Sequence, residues 1–525
     1  MLILPPPFLP GLSRRRFLSG AAALGAAATL GATTMTFGPR PARAQTPVRG
    51  GKLTIAYTAP VDTIDPRISY VVAAQQVTGA VFENLVFDNN GVLEPRLATS
   101  WRSENNLQEW VFELREGVRF HDGAEFTSKD VVETLNLAFD KERGRLYYNV
   151  LGPLKSVAAE GPHRVRLTFS QPFADAPYAV ALRFARILPA HRIATIVEHP
   201  VGTGPFRLKT FEPGNSATIV RNPDYWNEGK PYLDEITIVG IADSITQQAA
   251  IRSGAVDVLN TVQTETFLSL RNAPGLVGVS EAGAKYHVLI TQINQPPFDN
   301  PKVREAFRYI INRKALIGSA LLGQGAVAGD FPFPYDHPNT PADLPRHEQD
   351  LPKARRLLDE AGVGRLDLDM WTMSERPPSP KIALALKEAA ARINVNVNVS
   401  DVPYTEYAAN VVRKKPLYTT GTWTVNQNLF ESLYKSFHSK GTTNYSATEI
   451  SPGADAAIEE ILATPAGPKR LELIHGLAHK IAIYSERTIP YYMNTSVVLS
   501  ERVRDFPFPR YDLIDLAGIW VAPKA

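Results

Sequence analysis

His121 and Asp122, adjacent in a Phe-His-Asp-Gly run, bring an imidazole and a carboxylate together, the raw material for metal binding or proton transfer. A metal needs at least one further ligand close by, and a tight turn ending at Gly123 supplies none, so a hydrogen-bonded structural turn is the expectation. Residues 323–328, Gly-Gln-Gly-Ala-Val-Ala, fit a loose dinucleotide fingerprint. They follow a helical stretch, whereas the nucleotide-binding unit needs a strand there, so no nucleotide site is expected. The chain has no G-x-S-x-G elbow, P-loop or H-E-x-x-H, and its ten histidines lack ligand spacing. It has no cysteine, which excludes a disulfide framework, a thiolate metal site and a cysteine nucleophile. Neither a catalytic residue, a metal site nor a cofactor is expected, and the absence of motifs weakens the case for an enzyme.

The stretch 201–240 is punctuated as strands with turns at their corners. Gly202, Gly204 and Pro205 precede a run at 206–211, Glu212-Pro213-Gly214-Asn215 is a turn, and 217–220 and 235–239 are β-rich. Arg221 to Trp226 between them reads as a packed polar and aromatic corner. Upstream, 52–57 and 164–169 read as strands and 71–85 as helix. Over 109–120, Trp110, Phe112 and Leu114 alternate with polar residues. Thr127 or Ser128 caps a helix with Val131, Leu135 and Phe139 on one face. Downstream, 285–294 reads as a strand, and Asn300-Pro301 opens a helix running to Gly323. The order 353–362 helix, 366–372 strand, 381–393 helix and 394–400 strand predicts a second mixed sheet with helices on its faces.

A chain of 525 residues, 44% hydrophobic and 21% charged, holds more than one lobe. The first 44 residues carry five arginines and no acid, leaving 51 basic against 53 acidic residues, a balance of −2. That balance predicts no nucleic-acid partner.

Several blocks then agree on one resemblance. GTGPF at 202–206, EPG at 212–214, RNPDYWNEGKPYLDEI at 221–236, the Phe-His-Asp-Gly turn and PPFDNPKVREAFRYIINRKALI at 296–317 resemble the family 5 solute-binding proteins of ABC importers, which handle oligopeptides, dipeptides and nickel complexes. The likeness runs from about Gly50 almost to the end. It implies an α/β fold of the periplasmic-binding-protein type II-like class, two mixed lobes joined by a hinge, with an inserted subdomain in the first lobe. The implied division is 48–88, 201–293 and 492–525 for the first lobe, 89–200 for the inserted subdomain, and 294–491 for the second lobe. The hinge is expected near 293–295 and 490–492. The implied partners are a small-molecule solute and an inner-membrane ABC permease, with the protein a monomer that performs no chemistry. A secreted hydrolase or a solute-sensing receptor on the same fold is the alternative.

The resemblance also suggests site residues. The turn at 62–66 and the residues after it face the cleft in the family, which points to Ser69 and Tyr70. Met370 to Pro377 is similar to a stretch whose arginine pairs with a ligand carboxylate, and Arg376 falls on that residue. A guanidinium fork suits a carboxylate with two parallel hydrogen bonds. Residues 421–427 resemble the family's Gly-Trp motif, pointing to Gly421, Trp423 and Thr424. Peptide-binding relatives place an aspartate soon after that tryptophan for the ligand ammonium, but here Asn426 stands in its position. A buried ammonium needs a countercharge. The expected ligand therefore has an anionic or polar neutral end and no obligatory ammonium, with Trp371, Trp423 and Tyr404 available to stack on its body.

Ser13-Arg14-Arg15-Arg16-Phe17-Leu18, a Gly/Ala/Thr-rich apolar run and Ala42-Arg43-Ala44 read as a twin-arginine signal at 1–44, cleaved after Ala44. The twin-arginine translocase would then be a partner during export, and the periplasm the destination.

Overall fold

Two mixed β-sheets carry the framework, and the chain changes between them at closely spaced points. The computed structural model describes residues 46–89, 91–148, 151–376, 378–424, 428–510 and 513–523; the predicted signal at 1–44 and Asn426 lie outside them. From Pro47 onward the chain forms one unit.

Among the described residues the larger sheet has nine strands. Lys52–Tyr57 buries Leu53, Ile55, Ala56 and Tyr57 and pairs in parallel with Glu235–Gly240 and with Val258–Leu259. Glu235–Gly240 continues antiparallel to Ser216–Arg221, which turns back on Phe206–Glu212. Gly214 makes that turn at φ +75°, a left-handed conformation that favours glycine. On the other side, Leu276–Tyr286 pairs along almost its whole length with Tyr491–Ser500, and Trp423–Thr424 extends its outer edge. Gly325–Val327, the segment with the nucleotide-like glycines, is a short strand against Tyr491–Ser500.

The smaller sheet runs Val395–Asp401, Leu366–Thr372, Leu417–Thr419, Leu289–Thr291, Arg487–Thr488. Its first two strands are parallel and joined by helix Ser379–Ala391, which buries Ile382, Ala383, Leu386, Ala389 and Ala390. Val395 and Val397 point inward while Asn396 and Asn398 are exposed, the alternation expected of a sheet covered on one face. A separate antiparallel sheet of Ala98–Glu104, Glu109–Leu114, Arg164–Phe169 and Leu154–Ala159 lies within 89–200. There Val111 is as buried as its neighbours Trp110 and Phe112, so the strict alternation expected over 109–114 gives way to a strand covered on both faces.

Two helices differ from the sequence reading. Thr127 and Asp130 form the capping box of helix Ser128–Leu135, but the chain tightens to a 3₁₀ turn at Asn136–Phe139. That rotation leaves Phe139 exposed while Val131 and Leu135 are buried. The helix expected from Asn300 to Gly323 is two, Pro301–Ile310 and Arg313–Leu321. Asn312 caps the second by accepting from the Ala315 amide at 2.9 Å, and that side-chain cap divides the expected single helix at 311–312.

The chain passes from the larger sheet to the smaller at 287–288, visits the larger one at Gly325–Val327, reaches its edge again through 420–422, and makes its last return at 489–490. The first passage comes ahead of 293–295, the position expected from the sequence. The last is held by a buried ionic knot. Asp330 accepts from the Ile489 amide at 2.7 Å, from Arg313 at 2.8 Å, and lies 2.7 Å from His347 Nδ1. Arg313 also donates to the carbonyls of Ala328 (2.8 Å) and Ile489 (2.6 Å). Burial opposes ionisation of Asp330, but Arg313, His347 and Arg308 outweigh it and hold the carboxyl below its ordinary range. Replacing Asp330 by Asn strands two buried guanidiniums, Arg308 and Arg313. The expected loss is roughly 3–5 kcal/mol of unfolding free energy, read from urea denaturation.

Candidate functional site

The glycines of the GTGP run have a specific steric task. A Cβ on Gly202 would fall 1.9 Å from the Val81 carbonyl oxygen, and one on Gly204 would fall 2.3 Å from that of Ala80. The run therefore lies against the end of helix Val72–Val81. His121 locks it: its Nδ1 accepts from the Gly202 amide at 3.3 Å, and its Nε2 lies 3.0 Å from the Gly204 carbonyl. Burial lowers the His121 pKa to about 4, so the ring is neutral and works as a structural clasp. Asp122 meets His191 at 2.8 Å instead.

This helix forms one wall of a cavity of about 710 Å³. Gln75, Gln76 and Gly79 come from the helix, Arg183 and Arg186 from the inserted region, and Trp423 and Thr424 from the crossing strand. Tyr70, two-thirds exposed, meets Phe184 edge to face at 5.5 Å. Trp423 donates through Nε1 to Thr420 Oγ1 at 2.9 Å, and the Arg487 guanidinium lies 4.5 Å from its ring centroid. Arg487 also faces Tyr445 and Phe437, so one fully buried cation backs three rings.

The acids on this wall are engaged. Glu83 accepts from Tyr225 (2.7 Å), Trp226 (2.8 Å) and Thr203 (3.0 Å), and burial pushes its pKa up. Asp515 takes Arg96 at 2.7 Å, Glu431 pairs with Lys435 at 2.5 Å, and Asp88 accepts from the Gly91 amide at 2.6 Å. Arg186, 3% exposed, has no such partner among the described residues; burial draws its pKa to about 10, leaving it charged at neutral pH.

Three of the residues singled out from sequence, Tyr70, Trp423 and Thr424, line this cavity. Ser69 lies outside its wall and is consumed in a turn: its hydroxyl donates to Asp62 at 2.7 Å and accepts from the Val71 amide at 3.0 Å. Arg376, Tyr404 and Gly421 gather elsewhere. The Arg376 guanidinium stands 5.6 Å from the Tyr404 ring centroid, and a Cβ on Gly421 would lie 3.8 Å from its chain. Trp371, also outside the wall, carries Lys415 at 4.6 Å over its ring. Sequence reasoning passed over Arg145, Arg183 and Arg186. The signal was present in Leu182-Arg183-Phe184-Ala185-Arg186, two arginines set in an otherwise apolar connection.

The family model for bacterial extracellular solute-binding proteins, family 5, middle region, matches residues 92–444. The chain belongs to this family. The glutathione-binding protein GsiB of Escherichia coli O1:K1 / APEC is 27% identical over 379 residues, spanning 69% of this chain and 72% of that protein. Two solved structures share the fold. AgaA from A. tumefaciens R10, in complex with agropinic acid, has a TM-score of 0.76 at 22% identity, covering 90% of this chain and 99% of the other. AppA from Bacillus subtilis, in complex with a nonapeptide, has a TM-score of 0.74 at 23% identity, covering 91% of this chain and 100% of the other. The family's α/β fold with two mixed sheets is thus the one described above, and the matched proteins bind solutes. No helix among the described residues is long and apolar enough to cross a membrane.

One histidine joins Thr422 of the cavity wall to the sheet changes. His287 is fully buried, with Nδ1 3.4 Å from the Tyr491 hydroxyl and Nε2 3.3 Å from Thr422 Oγ1. Burial lowers its pKa to about 4 from an ordinary 6.5. Between these values the unfolded chain binds the proton and the folded chain does not, so stability is lost as pH falls. His121 acts in the same direction. The melting temperature is expected to drop from pH 6.5 towards pH 4, and His287→Gln to flatten the drop in a pH series of thermal melts.

Proposed function

We propose that this protein is the substrate-binding component of an ABC importer, capturing a small solute between its lobes and passing it unaltered to an inner-membrane permease. The observation that carries the reading is a cavity walled both by helix Val72–Val81 and by Trp423, on the short strand where the chain crosses between sheets. A solute there also touches Thr443, whose carbonyl is held by Arg487 of the smaller sheet, while the helix packs on the larger one, so ligand contacts from both sides stabilise closure. Residues 287–288, 420–422 and 489–490 are the hinge in this reading, and the two sheets are the cores of the two lobes. Arg376, Tyr404 and Gly421, with Asn426 five residues further along the chain, remain candidates for an outlying part of the same cleft.

GsiB is named for glutathione and AgaA holds agropinic acid, which supports a modified peptide or an opine-like conjugate as the solute class. Sugars and organic acids fit the same polar and aromatic wall. Export by the twin-arginine translocase, cleavage after Ala44, a periplasmic location and a monomeric state complete the proposal.

Bound solute is expected to stabilise the fold by about 2.7 kcal/mol at a hundredfold excess over Kd, seen as a melting temperature that rises with concentration. Mass spectrometry should recover the solute intact; accumulation of a converted product would sink the receptor reading. Intact-mass measurement of protein exported by its host should place the mature N-terminus at Gln45, and an unprocessed chain would refute the assigned cleavage.

A further inference from the structure

We infer that the solute carries at least two carboxylate groups and that Arg186, with Arg183 and Arg145, receives them in the first lobe. The inference rests on the receptor reading above and names the chemistry of its ligand.

Charge bookkeeping around the cavity carries the argument. Five arginine or lysine side chains line the cavity, and two of them, Arg96 and Lys435, are neutralised by Asp515 and Glu431. Glu83 and Asp88 are spent on hydroxyl, indole and amide donors. What remains is Arg145, Arg183 and Arg186, for which no carboxylate lies within ion-pair distance among the described residues.

Arg186 is the decisive member. Its Nη1 donates to Thr78 Oγ1 at 2.9 Å and its Nε to the Arg183 carbonyl at 3.2 Å. These are neutral acceptors, and Nη2 has no acceptor among the described residues. Gly79 lets the guanidinium lie flat on the helix, since a Cβ there would come within 2.8 Å of both terminal nitrogens. A buried cation without a countercharge is costly, and the fold has arranged a neutral cradle that fixes its orientation without neutralising it. Arg183 adds a second positive charge three residues away, held over the Phe184 ring at 5.0 Å. Arg145 adds a third on the same wall. One carboxylate would leave most of this charge uncompensated, whereas a di-acid answers it, and guanidinium forks match carboxylates in geometry. Tyr70 and Phe184 then offer an apolar surface for the body between the acidic groups.

The test uses the mature protein freed of ligand by unfolding and refolding. Citrate, glutathione and glutamyl-glutamate are titrated calorimetrically, each beside its amide, together with glucose and N-acetyl-dialanine amide as neutral probes. At least one acid should bind while its amide does not. Arg186→Gln and Arg183→Gln should each weaken that acid about tenfold or more, with Arg186→Lys recovering part of the loss. Arg183 is only half-buried, so its variant keeps the test valid if the Arg186 variant misfolds. Binding of an amide or neutral probe as tight as any acid overturns the inference and leaves the receptor standing. So does acid binding that survives both variants and is lost in Arg376→Gln, and so does failure of every acid at millimolar concentration. An acid bound through Arg186 but converted to product would uphold the anion site and overturn the receptor reading.

Discussion

A single buried carboxylate sets the relation between the two sheets. Asp330 has no exposure, yet it is ionised because Arg313 and His347 meet it directly and Arg308 stands 3.8 Å off. Its second oxygen is used by the Ile489 amide, the first residue of the return passage, while Arg313 grips the carbonyl of the same residue. Both hydrogen-bonding groups of Ile489 are thus fixed by one ion pair anchored on helix Arg313–Leu321. The strand that follows, Tyr491–Ser500, is the central partner of Leu276–Tyr286, so its entry angle aligns the larger sheet. Such a network brings little net stability when compared with an apolar replacement, but it fixes one geometry against alternatives.

The same electrostatic logic separates architecture from recognition at the cleft. Glu83, on the wall itself, is surrounded by three donors and keeps the corner at Tyr225 and Trp226 in place. Arg96 and Asp515 neutralise one another and tie the C-terminal segment to the hairpin strand Val92–Pro95. These charges are complete within the chain. Among the described residues the guanidiniums of the Leu182 to Arg186 connection are not, and an incomplete charge in a cavity is where a ligand's own groups enter.

Much of the framework was legible because local chemistry and tertiary need coincide. Lys52–Tyr57 and Leu366–Thr372 have the bounds their alternation predicts, and the Pro213-Gly214 turn and the Asn300 cap occur where those residues demand them. The GTGP block was recognisable as a motif, but its cause, a helix end within 2 Å of where a side chain would begin, is tertiary. The early end of helix Pro301–Ile310 depends on whether Asn312 turns its side chain back to cap, a choice that apolar periodicity cannot register. The site was less legible. Ser69 has the right chemistry and neighbourhood, yet its hydroxyl is spent on Asp62 and Val71. Arg186 looks like any arginine until the missing countercharge is seen.

The placement of Trp423 has an electrostatic consequence. Its indole belongs to the edge of the larger sheet, while the cation stacked on it, Arg487, belongs to a strand of the smaller one. Only residues 420–422 tether that tryptophan to Leu417–Thr419. Any rotation of one sheet against the other must therefore change the distance between ring and guanidinium. The molecule thus carries an indole whose electrostatic surroundings would alter with any such rotation.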